Sequence, residues 1–192
     1  MTNLILTGMR GSGKTHIARK IATTLKRRHI DIDKEIQRQE RMSISHIVNK
    51  KGWPHFRKIE KYVTRRVSNL KDVVISAGGG TIIDNENTRK LKKHGIIVFL
   101  DAPVKILAAR ILAYEEETEK RPSLTAAKNL EEEMTNVWNK RQQQYRETAN
   151  YTVDVSQDSD NLKQDLRDKS KKIIDVVSAD YPEFCKPEEL KS

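Results

Sequence analysis

A single cysteine, Cys185, stands in the chain, so no intramolecular disulfide can form and a reducing, cytoplasmic compartment is expected. Long hydrophobic runs are also missing. No apolar stretch approaches the ~20 residues that a membrane span requires, which predicts a soluble protein with no membrane partner. No basic leader with a cleavage site precedes the fold: the short run Leu4-Ile5-Leu6 leads straight into a glycine-rich loop, which argues against a secretory signal. His16, His29, His46, His55 and His94 do not fall at metal-ligand spacings, so no zinc site is expected. Aromatic residues make up only 5% of the chain and none forms a base-stacking motif with the basic residues. That tempers the net charge of +10, which alone suggests nucleic acid. The basic residues are spread along the chain, some in runs such as Lys26-Arg27-Arg28 and Arg65-Arg66. This is the pattern of a solvated surface, and an anionic substrate accounts for part of the excess.

What is present fits one α/β domain. The chain has 192 residues, enough to bury roughly 70% of the surface its unfolded form exposes. Strand-like apolar runs alternate with helix-length amphipathic ones, the pattern of repeated β-α units around a parallel sheet. Five strands are predicted, at Asn3 to Thr7, Ile30 to Asp33, Val73 to Ser76, Gly95 to Leu100 and Tyr151 to Val155. After the first strand, Ile17, Ala18, Ile21, Ala22 and Leu25 recur at helical spacing. After the second come helical segments carrying Ile44, Ile47 and Val48, then Phe56, Ile59, Val63 and Val67. Pro103 opens the helix after the fourth strand. A polar stretch from Tyr114 to Thr125 precedes a long helix from about Ala126 to Thr148. Ser159 to Ala179 reads as a charged surface helix, and residues 180–192 as a polar tail.

Gly8-Met9-Arg10-Gly11-Ser12-Gly13-Lys14-Thr15 matches G-x-x-x-x-G-K-[ST] in full, between a strand and an amphipathic helix. The glycines let successive N–H groups face a phosphate, and the helix N-terminus adds partial positive charge. Lys14 then reaches the β- and γ-phosphates and the Thr15 hydroxyl ligates Mg²⁺. Gly11, Ser12, Gly13, Lys14, Thr15 and the adjacent His16 are the expected ATP-binding set. The acceptor is left open, since the same loop serves kinases, GTPases and motor ATPases.

On the acceptor side, Asp31 and Asp33 flank Ile32, and a strand's two-residue period puts both carboxylates on one face. At the carboxyl end of a parallel strand they border the ligand crevice. One of the two can hold metal-bound water and the other can orient and deprotonate an attacking hydroxyl; alternatively Asp33 only caps a helix beginning near Lys34. Arg141 falls within the apolar stripe of Leu130, Met134, Val137, Trp138 and Tyr145. A guanidinium facing inward needs an anion, and a substrate carboxylate would supply one in bidentate geometry. Arg57 has Glu60 three residues on, so an internal ion pair stands beside a substrate role. Arg121 lies in the polar stretch, where a lid arginine could approach the transferring phosphoryl group; taken alone it is equally an ordinary loop arginine. Arg110 either stacks on adenine or is a solvated helix residue. Asp101, followed at once by Ala102-Pro103, is read as shaping the start of a helix rather than holding metal.

As an ordered set, the phosphate loop, Asp31-Ile32-Asp33, Gly52-Trp53-Pro54-His55-Phe56-Arg57, Gly78-Gly79-Gly80, Arg121-Pro122 and Arg141 with Tyr145 resemble the shikimate kinase family over roughly Leu4 to Val155. The resemblance implies a three-layer α/β/α P-loop kinase fold with a five-stranded parallel sheet. It implies one domain over residues 1–179, with a helical substrate-binding region at about 33–60 and a lid at about 114–125. The implied reaction is phosphorylation of the shikimate 3-hydroxyl by ATP with Mg²⁺. Asp33 would be the base, with Lys14 and Arg121 also catalytic. Arg57, Gly79, Gly80 and Arg141 would bind the carboxylate region, Thr15 and Asp31 the metal, and Arg110 the nucleotide side. The partners expected are shikimate and ATP, with no nucleic acid, and the chain is expected to be a monomer. Trp53, where many members carry glutamate, and the run Glu115-Glu116-Glu117 depart from the family pattern. A P-loop kinase for another small hydroxy acid or a nucleotide is one alternative; a basic protein that switches on ATP and binds nucleic acid is another.

Overall fold

The computed structural model describes residues 2–115, 129–159 and 161–185. β1 (Asn3–Gly8) and β4 (Gly95–Asp101) form the middle of the sheet. With β2 (Arg28–Asp31), β3 (Val73–Ser76) and β5 (Tyr151–Asp154) they make a wholly parallel sheet in the order β2-β3-β1-β4-β5. Leu4 stands level with Val74 on one side and Ile96 on the other. Every residue of β1 and β3 is buried, as expected of strands covered on both faces, which read as continuous aliphatic runs rather than alternating ones.

Seven helices surround the sheet among the described residues: α1 (Lys14–Thr24), α2 (Ile32–Glu40), α3 (Ile44–Ser68), α4 (Asn85–Lys93), α5 (Val104–Glu115), α6 (Leu130–Thr148) and α7 (Leu162–Asp180). α1 carries the chain from β1 to the β2 edge, whereas α4 carries it the other way, from β3 past β1 to β4. Right-handed crossovers in opposite directions place their helices on opposite faces. α1 and α7 therefore pack together on one face, and α4 and α6 lie over β4 on the other. The loops leaving the neighbours β1 and β3 turn to opposite sides, which opens a crevice at their carboxyl ends. None of the described helices is long and apolar enough to cross a membrane.

Two expected boundaries, at β2 and α6, are corrected. β2 ends at Asp31 and not at Asp33, because the Asp31 carboxylate accepts the Lys34 N–H at 3.1 Å and starts α2 at Ile32. Asp31 and Asp33 are thus a helix cap and a first-turn residue, not a pair on one strand face. The cap expected at Asp33 is made by Asp31. α6 begins at Leu130 rather than about Ala126, since extended Asn129 caps it by accepting the Glu132 N–H at 2.9 Å. α4 was not anticipated at all. The two helical segments expected after the second strand are both present in α3, separated at Gly52, whose φ of 79° and ψ of 166° are non-helical.

Candidate active site

The phosphate loop joins β1 to α1, and its glycines are required by close approach as much as by conformation. At Gly8 (φ 149°) a Cβ would sit 2.7 Å from the Leu100 carbonyl oxygen, and at Gly11 (φ 83°) 2.6 Å from that of Leu107. Left-handed Gly13 precedes α1 and offers no side-chain cap, so the first-turn N–H groups remain available to an anion. The Lys14 ammonium lies along the loop, donating to the carbonyls of Gly8 (3.0 Å) and Met9 (2.8 Å). The Thr15 hydroxyl donates to Asp31 Oδ2 at 2.8 Å. A hydroxyl and a carboxylate, both hard oxygens, side by side at a phosphate loop fit Mg²⁺, which takes one or two such ligands and fills its remaining positions from phosphate and water. His16 follows on the exposed side of α1.

Across the crevice, the loop after β3 presents Gly78, Gly79 and Gly80, each against a different partner. A Cβ on Gly78 would lie 2.7 Å from Asp33 Oδ1. One on Gly80 would lie 2.7 and 2.8 Å from the two terminal nitrogens of Arg57, and one on Gly79 3.3 Å from the Gly8 carbonyl of the phosphate loop. The Gly79 carbonyl accepts from Arg141 Nη1 at 3.2 Å and from the Tyr145 hydroxyl. Asp33, Arg57 and Arg141 come from α2, α3 and α6, yet they meet on three consecutive residues, of which Gly79 lies against the nucleotide loop.

Arg57 is placed by a buried acid that the sequence reading did not put in the site. Arg57 Nη1 pairs with Glu60 Oε2 at 2.6 Å, and Glu60 Oε1 accepts the Thr81 hydroxyl at 2.8 Å. The internal pair therefore exists, with Arg57 also against Gly80. Glu60 is 1% exposed. Burial pushes its carboxyl above the ordinary range, against the opposing pull of Arg57 and Thr81 and with a smaller push from Asp33. The signal was present: Phe56, Glu60, Val63 and Val67 recur at helical spacing and are all buried. The Arg57 guanidinium also lies over the rings of Phe56 (5.1 Å) and Trp53 (5.5 Å), a cation–π arrangement that gives Trp53 a structural role.

Arg110 pairs with Asp158 (2.6 Å) and donates to the Val155 carbonyl (2.6 Å), so it braces the loop that follows β5. Asp101 closes β4 and faces Arg146 at 3.8 Å. Arg121 lies outside the described residues, as do positions 116–125 of the expected lid.

A family model described as shikimate kinase matches residues 10–177. The shikimate kinase of Caldanaerobacter subterraneus subsp. tengcongensis is 38% identical over 156 residues, covering 81% of this chain and 88% of that protein. Shikimate kinase 2 of Salmonella schwarzengrund is 40% identical over 156 residues, with 81% and 84% covered. Among solved structures, the shikimate kinase from Acinetobacter baumannii in complex with shikimate aligns with a TM-score of 0.82 at 30% identity over 94% of each chain.

Proposed function

The chain belongs to the shikimate kinase family, enzymes that convert ATP and shikimate to ADP and 3-phosphoshikimate, and we propose that its own residues divide that work as follows. Asp33 takes the proton of the 3-hydroxyl as that oxygen bonds to the γ-phosphorus. The bond from phosphorus to the β,γ-bridging oxygen breaks in line with the attack, and ADP leaves. Arg57, Arg141 and the backbone of Gly79 and Gly80 hold the substrate's carboxylate end. Lys14 and the N–H groups from Gly11 to Thr15 hold the β- and γ-phosphates, with His16 beside them. Thr15 and Asp31 would hold Mg²⁺, which when bound offsets phosphate charge. Arg121 offsets the charge developing on the transferred group, and Arg110 serves the nucleotide side by bracing residues 155–158. Residues 1–179 form one kinase domain with its substrate region at about 33–60 and a lid at about 114–125, and the single cysteine suits a cytoplasmic protein.

The observation that carries this division is the convergence of Asp33, Arg57 and Arg141 on Gly78, Gly80 and Gly79 beside the Gly8 carbonyl. A carboxylate and two cations around a space bordered by the phosphate loop suit an anionic alcohol awaiting a phosphoryl group. The test is an ADP-release assay across shikimate, quinate, gluconate and nucleoside monophosphates. Shikimate is expected to stimulate release far above the others. No stimulation by shikimate above background would sink the reading.

A further inference from the structure

The ring of Tyr145 is fully buried between aromatic neighbours, with Phe99 stacked at 5.1 Å and an interplanar angle of 3°, and Trp138 at 6.4 Å and 21°. Such packing would be served equally well by phenylalanine. The hydroxyl is the part that packing does not explain. It donates to the Gly79 carbonyl, to which the Arg141 guanidinium also donates. Tyr145 and Arg141 are four residues apart on α6, one turn, so both reach the same oxygen from one rigid element. The charges of Arg141 and Arg57 both act on this phenol.

We infer that Tyr145 is a positioning residue for the anionic end of shikimate, acting through the Gly79 carbonyl that it shares with Arg141. The inference rests on the reading of Arg141 as a substrate-carboxylate ligand. Two consequences follow from the geometry. Donation by Tyr145 fixes the direction of the Gly79 carbonyl, and in a planar trans peptide this fixes the opposed Gly80 N–H as well. The same carbonyl is the acceptor that holds Arg141 Nη1, so fixing its direction also fixes where the guanidinium sits. Burial pushes the phenol above its ordinary range, so it remains a donor throughout neutral pH.

The test compares Tyr145→Phe, Arg141→Ala and the double variant by steady-state kinetics, together with their melting temperatures. Phenylalanine keeps the ring stack, so the variant should fold. It should raise the KM for shikimate about three- to tenfold, as expected when a partly buried carbonyl loses one of its two donors, while the KM for ATP stays within about twofold. Because the two side chains act through one oxygen, the double variant should be little worse than Arg141→Ala alone. A melting temperature lowered with both KM values unchanged would reduce Tyr145 to packing. Effects on the shikimate KM that multiply in the double variant would overturn the shared route. An unchanged shikimate KM in Arg141→Ala would overturn the reading of Arg141 itself, whereas a raised one beside an unchanged Tyr145→Phe would sink only the tyrosine inference.

Discussion

Glu60→Gln should separate substrate affinity from stability, because Glu60 does two opposed things. Its carboxylate is 1% exposed and holds Arg57 at 2.6 Å and Thr81 at 2.8 Å. A hydrogen bond to a charged group contributes about 1.5–3 kcal/mol. The Arg57 side chain is 35% exposed, and solvent screening brings the figure toward about 1 to 1.5 kcal/mol. If that energy keeps the guanidinium against Gly80, losing it should raise the KM for shikimate about five- to tenfold, with kcat and the KM for ATP nearly unchanged. Stability should move differently. Burial lifts the carboxyl above its ordinary range despite Arg57, so the folded chain binds this proton more tightly than the unfolded one. Stability from that source is fully present below the unfolded pKa and is lost as pH rises through the folded one. Glutamine does not titrate, so the variant should gain on the parent between pH 5 and pH 8. Urea unfolding at both values, beside shikimate titrations at saturating ATP, measures both effects. A variant that loses ground as pH rises would show that the Arg57 pair outweighs burial, and an unchanged shikimate KM would show that Arg57 does not need Glu60 to stay in place.

Three further outcomes follow from the site. Asp33→Asn should lower kcat by about 10²-fold or more while ATP affinity stays near the parent's; near-normal turnover would remove Asp33 from the chemistry. Gly80→Ala should fold, since Gly80 has an ordinary φ of −108° and the new methyl meets only the movable end of Arg57, and its cost should fall on the KM for shikimate. Gly11→Ala should instead damage ATP binding and stability together, because its Cβ would stand 2.6 Å from the backbone oxygen of Leu107 at a φ of 83°; melting curves with and without ATP distinguish the two glycine variants.

The contrast between those glycines also marks what the sequence could and could not disclose. The phosphate loop was legible because its chemistry is local: motif, preceding strand and following helix are contiguous. The sheet strands were legible for a related reason, since strands buried on both faces must be continuously apolar. α4 was missed because its nine residues bury only Asn87 and Leu91. Its beginning is set by the Asp84 carboxylate accepting the N–H groups of Glu86 and Asn87, a capping signal with almost no periodicity behind it. At Asp31-Ile32-Asp33 alternation fitted a strand, but one hydrogen bond to the Lys34 N–H decided for a helix. The start of α2, rather than a strand end, brings Asp31 to Thr15 and Asp33 to Gly78.

What no local pattern could show is that one short loop would organise the acceptor side. Asp33, Arg57 and Arg141 are spread over 109 positions of the chain, and Gly78-Gly79-Gly80 carries no phosphate-binding spacing of its own. The topology supplies the reason they meet. β3 lies between β1 and β2, so its outgoing loop passes beside the phosphate loop and also beside the start of α2. Glycine lets that loop be approached closely from three sides at once, by Asp33, by Arg57 and by the Gly8 carbonyl. A side chain at Gly78 or Gly80 would occupy the positions that Asp33 and Arg57 now hold. The glycines therefore contribute the absence of side chains, and the directional chemistry comes from the elements around them. An arginine on an apolar helical stripe and a buried glutamate three residues after another arginine become informative only once that shared loop is known.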